Sequence, residues 1–383
     1  MEKDIAEIRI ALEDGGVRLY GSTDESPWLH PLWLRERAEG ADAVDSISGQ
    51  RLYDPAALAP KLTVSSVNRA TPNKVDVTFD DGGQYHLSMS KIAIELGLVP
   101  DPQSPPVPEI WDQALSPRPE ADWNEMDDPT HLRDALDGFF RCGYTVFRNT
   151  PTQPGSLKHL AEKFGYIRET NFGVLFDVLK KQEASDLAYT NSALAPHTDN
   201  PYRTPIPGIQ FLHCLKNSVS GGLSTLVDGF AIARKLEEEA PEQAEILAKT
   251  MVRFRYEAVG GAIMENTGTL IERDITGRTI RIRLSSRLDY VPAMKGLDLD
   301  LFYAARRRLQ ELANDPAFVI SNRFVPGMLL MMDNYRTLHG RTVYDAGDGQ
   351  RHLQGCYIDH DGPDSLYRML VRDGAGMVMR NVE

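Results

Sequence analysis

His197-Thr198-Asp199-Asn200-Pro201, followed far downstream by Leu338-His339-Gly340-Arg341, is the reading on which the fold turns. On an extended segment, residues two apart point the same way. His197 and Asp199 can therefore face one ion while Thr198 turns away. His339 supplies a second imidazole. Two imidazoles and one carboxylate on one face of a metal are the ligand set of non-haem Fe(II) oxygenases, which leaves positions open for a co-substrate and O₂. A His-x-Asp alone recurs by chance in long chains, so the weight falls on its surroundings.

Those surroundings include Arg351, in Arg351-His352-Leu353-Gln354-Gly355-Cys356-Tyr357. Such a metal needs an electron donor, and a 2-oxo acid serves if its far carboxylate is held. A guanidinium does this with a planar, two-pronged contact that lysine does not copy. Asp345-Ala346-Gly347-Asp348-Gly349 is a turn signal, and the run after Arg351 is strand-like. His339 and Arg351 are expected on neighbouring strands of one sheet. The plain alternative is a surface arginine beside a loop.

Composition sets the bounds. The chain has 383 residues, enough for two domains or one large one. Its 42% hydrophobic and 25% charged residues fit a globular protein. No run approaches the roughly 18 apolar residues that cross a bilayer. The start, Met1-Glu2-Lys3-Asp4-Ile5, has no apolar signal core. Three cysteines, Cys142, Cys214 and Cys356, make no disulfide framework, so a reducing, cytoplasmic setting is expected. A net charge of -13 excludes nucleic acid as a partner. No membrane partner is expected either, and a homodimer is the assembly carried forward.

Residues 100–119 hold seven prolines and read as a semi-rigid linker. A small β-rich N-terminal module is expected over 1–105 and a larger domain over 120–383. The module shows strand-like runs at 17–20, 74–79 and 85–87, with Asp80-Asp81-Gly82-Gly83 as a hairpin turn. The larger domain shows helical patterns at 129–140, 156–164, 231–250 and 298–313. Strand-like runs fall at 143–148, 251–256, 279–284 and 327–333.

Several segments together carry a resemblance. They are Asn171-Phe172-Gly173-Val174-Leu175-Phe176-Asp177-Val178, the His197 motif, Pro207-Gly208-Ile209-Gln210-Phe211-Leu212-His213-Cys214-Leu215, Ser224-Thr225-Leu226-Val227-Asp228-Gly229-Phe230, the His339 motif and the Arg351 run. With Trp33-Leu34-Arg35 they resemble the γ-butyrobetaine and trimethyllysine hydroxylase branch of the Fe(II)/2-oxoglutarate dioxygenases. The resemblance implies a mainly β fold with flanking helices, a double-stranded β-helix or jelly-roll core. It implies Fe(II) on His197, Asp199 and His339, 2-oxoglutarate on Arg351 with Thr225 as a second contact, O₂ as oxidant, and stimulation by ascorbate.

The chain also departs from the family pattern. The family carries an N-terminal zinc site built from cysteines and a histidine. Here Ala38, Gly40 and Ala43 stand where the thiols would fall, and His86 is the leftover ligand. Structural zinc needs four N or S ligands, so no zinc is expected. Family substrates carry a trimethylammonium group, which donates no hydrogen bond and is recognised by aromatic faces. Phe172, Phe176, Tyr189 and Tyr357 match the cage positions. Asp186 stands where the family has a carboxylate-binding asparagine, Asn200 where it has an aromatic residue, and Arg287 in the segment of a second anion-binding amide.

That set resembles the members of the branch that hydroxylate 2-trimethylaminoethylphosphonate at the carbon next to phosphorus. Asp186 would face the ammonium, and Asn200 with Arg287 would clasp the phosphonate. γ-Butyrobetaine is the alternative substrate. Two other classes stay open, a non-catalytic cupin-like binder and a zinc hydrolase on the same triad. Arg351 has no role in the hydrolase. His213 and His352 are expected to pack or hydrogen-bond, and His30, His131, His159 and His360 to lie at the surface.

Overall fold

The structure, a computed structural model, describes residues 2–21, 26–179, 190–258, 261–345, 347 and 349–374, with residues 2–4 as backbone alone. The chain forms two compact units, Met1–Pro102 and Gln103–Glu383.

In the first unit, Lys74–Phe79 alternates buried and solvent-facing residues, as a half-buried strand must. It pairs on both sides, with Val64–Arg69 and with Gln84–Ser88. The Asp80–Gly83 turn closes the second pair, Phe79 N donating to Gly83 O at 2.9 Å. Val17, Leu19, Leu34, Val75, Val77 and Phe79 fill the core. Ala38 and Ala43 are 2% and 0% exposed, so core packing occupies two positions where thiols would fall. His86 is exposed and hydrogen-bonds Asp76.

The second unit is built on two facing sheets. The larger runs, in spatial order, Glu120–Asp122, Tyr144–Arg148, Leu329–Asp333, Ile209–Asn217, Arg351–Ile358, Phe176–Leu179. The smaller runs Leu194–His197, Thr337–Arg341, Ser224–Asp228, Ile320–Asn322. Together they make the double-stranded β-helix.

Helices cover the outer face of the larger sheet. In Pro129–Cys142, apolar residues recur at Leu132, Ala135, Leu136 and Phe139, one helical stripe. Asp128 caps its start, accepting from Thr130 N at 2.7 Å. Gly143 ends it at φ 73°, a left-handed conformation that glycine adopts without Cβ strain. Phe139, Phe147, Leu157, Leu160, Phe164, Phe211 and Met331 form the core between these helices and the sheet.

Three expectations change. The helix expected over 231–250 is two helices, Gly229–Glu239 and Pro241–Lys249. Pro241 has no N–H to continue the first, but it suits the opening turn of the second. Residues 103–119 are not a free linker. Trp111 is buried and donates from Nε1 to Cys142 O at 2.6 Å, and its backbone N donates to Asp228 Oδ2 at 3.1 Å. His339 and Arg351 lie on different sheets, because the chain leaves the smaller sheet at Arg341 and enters the larger at Arg351.

Among the described residues, no helix is long and apolar enough to cross a membrane.

Candidate active site

The cross-strand register builds the site. His197 lies directly opposite His339 on antiparallel strands. Opposed residues share one face with their side chains in contact, and the two imidazole centroids are 4.5 Å apart. The strand ends at His197. Thr198 then ties the chain to Leu284, its N donating to Leu284 O at 2.9 Å and its Oγ1 accepting from Leu284 N at 3.2 Å. The chain bends, and Asn200 takes φ 53°. Asp199 Oδ1 is thereby set 3.4 Å from His197 Nε2 and 3.9 Å from His339 Nε2. Among the described residues, this is the only cluster of three or more such side chains whose ligand atoms all lie within 4.8 Å of one another.

Supporting contacts hold His197 and Asp199, whereas His339 Nδ1 is buried with no hydrogen-bond partner among the described residues. His197 Nδ1 faces Ala195 O at 2.9 Å, so it carries the proton and leaves Nε2 with a free lone pair. Asn334 clamps the Asp199 backbone. Its Oδ1 accepts from Asp199 N at 2.7 Å and its Nδ2 donates to Asp199 O at 3.0 Å.

Electrostatics complete the donor set. Burial pulls His339 down to about 4, Asp199 pulling the other way and His197 and Arg287 adding to the fall. That ring is neutral at neutral pH, the form that binds a metal. Burial alone would raise Asp199. The imidazoles of His339 and His197 and the Tyr357 hydroxyl outweigh it and hold the carboxyl below its usual range. One carboxylate and two imidazoles suit a divalent cation.

One cavity unites the triad with the other expected residues. It is lined by Phe172, Phe176, Asn200, Thr225, Arg287, Arg351 and Tyr357. Asp186 and Tyr189 lie outside the described residues. Arg351 is 8% exposed, and burial pulls its pKa down. Its Nε and the Thr225 Oγ1 are buried without a hydrogen-bond partner among the described residues. A desolvated cation and a hydroxyl left open in this way fit a carboxylate ligand.

The aromatic wall is not an open box. Phe176 and Tyr357 stack on each other with centroids 5.1 Å apart. Phe172 meets Tyr256 edge-on at 6.1 Å, and Tyr202 stacks on Tyr256 at 4.9 Å. Phe176 also packs against Gly355, its partner on the next strand. A Cβ there would meet Phe176 Cζ at 2.5 Å and Phe211 O at 2.8 Å. Gly355→Ala is expected to displace the Phe176 ring and cost about 1–3 kcal/mol. Thermal unfolding checks it; an unchanged midpoint refutes the packing account.

The remaining histidines divide. His30, His131 and His159 are exposed. His352 hydrogen-bonds Asp177 at 2.7 Å, and His213 is buried, its pKa lowered to about 4 by burial. His360, expected at the surface, is part-buried against Tyr335 and bonded to Asp333 at 2.9 Å. Asp333 occupies the end of a core strand, which draws the imidazole inward.

Gln210 and Arg341 also line the cavity and were not singled out from the sequence. A lone glutamine in the apolar run Ile209-Gln210-Phe211-Leu212 was the available signal for the first.

A fold of this kind with a His-Asp-His cluster and a buried arginine defines an Fe(II)/2-oxoglutarate oxygenase. Residues 106–357 match the family model "Taurine catabolism dioxygenase TauD, TfdA family", and the chain belongs to that family. It is 36% identical over 347 residues to the γ-butyrobetaine dioxygenase of Pseudomonas sp. (strain AK-1), covering 90% of each chain. It is 29% identical over 356 residues to the mitochondrial trimethyllysine dioxygenase of Gallus gallus, covering 88% of this chain and 82% of that one. The solved structure of AAD-2 with Mn(II) and N-oxalylglycine shares the fold, with a TM-score of 0.51 and 18% identity over 66% of this chain and 100% of that chain. The protein is an enzyme that uses Fe(II), 2-oxoglutarate and O₂.

Proposed function

We propose that this enzyme hydroxylates a small trimethylammonium compound, 2-trimethylaminoethylphosphonate, at the carbon bonded to phosphorus, in a cytoplasmic setting. His197 Nε2, Asp199 Oδ1 and His339 Nε2 are the atoms assigned to Fe(II), and Arg351 with Thr225 holds 2-oxoglutarate. When bound, iron and 2-oxoglutarate with O₂ supply the oxidising power for C–H hydroxylation, with succinate and CO₂ as co-products. The chain supplies position and exclusion of water.

One observation carries the phosphonate reading. Arg287 lines the cavity near enough to His339 that its charge helps lower that imidazole's pKa. A target carbon bonded to phosphorus brings the anionic end close to the metal ligands, where this guanidinium stands. Asn200 is a second donor. Its amide is buried beside the Tyr357 hydroxyl, and its Oδ1 accepts from the Tyr202 hydroxyl, which leaves Nδ2 as the donor end. The rings of Phe172, Phe176 and Tyr357 offer the apolar, π-rich surface that a quaternary ammonium needs, worth about 2 kcal/mol when desolvated. The family pattern adds Asp186 and Tyr189 to that end. The relative at 36% identity favours a second reading, γ-butyrobetaine, whose anion is a single carboxylate.

Turnover of both compounds by the parent and by Arg287→Ala separates the readings. The parent is expected to prefer the phosphonate. Arg287→Ala is expected to lower kcat/KM for it by about 1.5–3 kcal/mol, the worth of a charged hydrogen bond, and to affect γ-butyrobetaine less. Parental preference for γ-butyrobetaine overturns the phosphonate and leaves the hydroxylase assignment standing.

A further inference from the structure

We propose that Gln210 and Tyr357 are positioning residues that hold the far oxygen of Asp199, so that Asp199 meets the metal through Oδ1 alone. The proposal rests on the assignment of Fe(II) to the triad. Gln210 and Tyr357 are a directly opposed pair on the neighbouring strands Ile209–Asn217 and Arg351–Ile358. Opposed residues share a face, and both reach the same atom. Gln210 Nε2 donates to Asp199 Oδ2 at 2.6 Å and the Tyr357 hydroxyl donates to it at 2.8 Å. Asp199 Oδ1, by contrast, faces the two histidines. The carboxylate is thus divided, one oxygen toward the larger sheet and one toward the ligands anchored on the smaller.

Chemistry fixes the amide orientation. A flipped Gln210 would set its oxygen against a carboxylate. In the orientation present, Gln210 is 2% exposed and its Oε1 has no partner among the described residues. A buried acceptor left open is costly, and apolar residues flank Gln210 in sequence on the same strand. What the glutamine provides there is the donor to Asp199. The Tyr357 hydroxyl is the donor in its contact as well, since an ionised carboxylate oxygen can only accept.

The consequence concerns open positions. With iron bound, three protein ligands would leave room beside it for a 2-oxo acid and O₂. A carboxylate free to rotate would offer its second oxygen to the metal and fill part of that room. The pair prevents the rotation. Because the Tyr357 ring also stacks on Phe176 in the cavity wall, the wall is tied to a metal ligand through one hydroxyl.

The test uses full-length Tyr357→Phe, which keeps the ring, and Gln210→Leu. Anaerobic Fe(II) titration is expected to show binding about ten- to a hundredfold weaker, the usual effect of removing an outer partner of a ligand. The ratio of succinate to hydroxylated product is expected to rise above that of the parent. Parental iron affinity and parental ratio in both variants overturn the proposal. Weaker iron with a parental ratio also overturns it, since the pair would then only satisfy a buried carboxylate. If Gln210→Leu fails to fold, Tyr357→Phe decides alone. His339→Ala is the control: unchanged iron binding there would fail the triad assignment itself, a separate outcome.

Discussion

Replacing His339 by alanine is expected to abolish turnover and to weaken Fe(II) binding sharply. The imidazole stands opposite His197 across a strand pair, and among the described residues its Nε2 is one of the three ligand atoms that converge there. Its removal leaves one imidazole and one carboxylate, too few to hold a divalent cation against water. The rate is expected to fall by at least roughly a thousandfold, about 4 kcal/mol on the barrier. The fold should survive. His339 lies in the smaller sheet between Leu194–His197 and Ser224–Asp228, and the backbone pairing on both sides is indifferent to its side chain. Circular dichroism and thermal unfolding check the fold. Metal titration and iron-dependent succinate formation check the site. Full iron-dependent activity in a folded His339→Ala variant rules the assignment out.

The triad was legible because its physics is local in two steps. The spacing of His197 and Asp199 aims two side chains one way, and the distant His339 joins them by a register that every antiparallel pair imposes. The sheet that carries Arg351 was not legible in the same way. A short turn-rich connection reads as a hairpin, whereas the strand that ends at Arg341 and the one that begins at Arg351 belong to different sheets. Composition between two strands does not say which neighbour the second will choose; the jelly-roll closure decides. The break at Pro241 was available in the sequence and was overridden by a continuous helical pattern on either side. Trp111 was the clue that a proline-rich stretch packs down, since its indole finds a buried acceptor, Cys142 O. Gln210 was hidden because a donor's value depends on the partner's position, and its partner Asp199 is reached only after two sheets have faced each other.

Arg351→Ala is expected to raise the 2-oxoglutarate requirement by far more than it changes any other binding step. The guanidinium is buried, its Nε has no partner among the described residues, and burial pulls its pKa down. Those are the marks of a cation whose counter-ion arrives as a ligand. Two charge-assisted hydrogen bonds to one carboxylate are worth roughly 3–6 kcal/mol together, on the order of a hundred- to ten-thousandfold in apparent affinity. Arg351→Lys keeps the charge and loses the fork, so it is expected to fall between the parent and the alanine variant. The Tyr344 ring, 5.7 Å from the guanidinium carbon, fits a planar group better than an ammonium and adds to that difference. Steady-state titration of 2-oxoglutarate reads the effect, with Fe(II) binding measured alongside. Iron affinity is expected to stay near the parental value, because Arg351 touches none of the three metal-facing atoms. An unchanged 2-oxoglutarate requirement in Arg351→Ala removes this residue from the co-substrate site and leaves the metal assignment to stand on the triad.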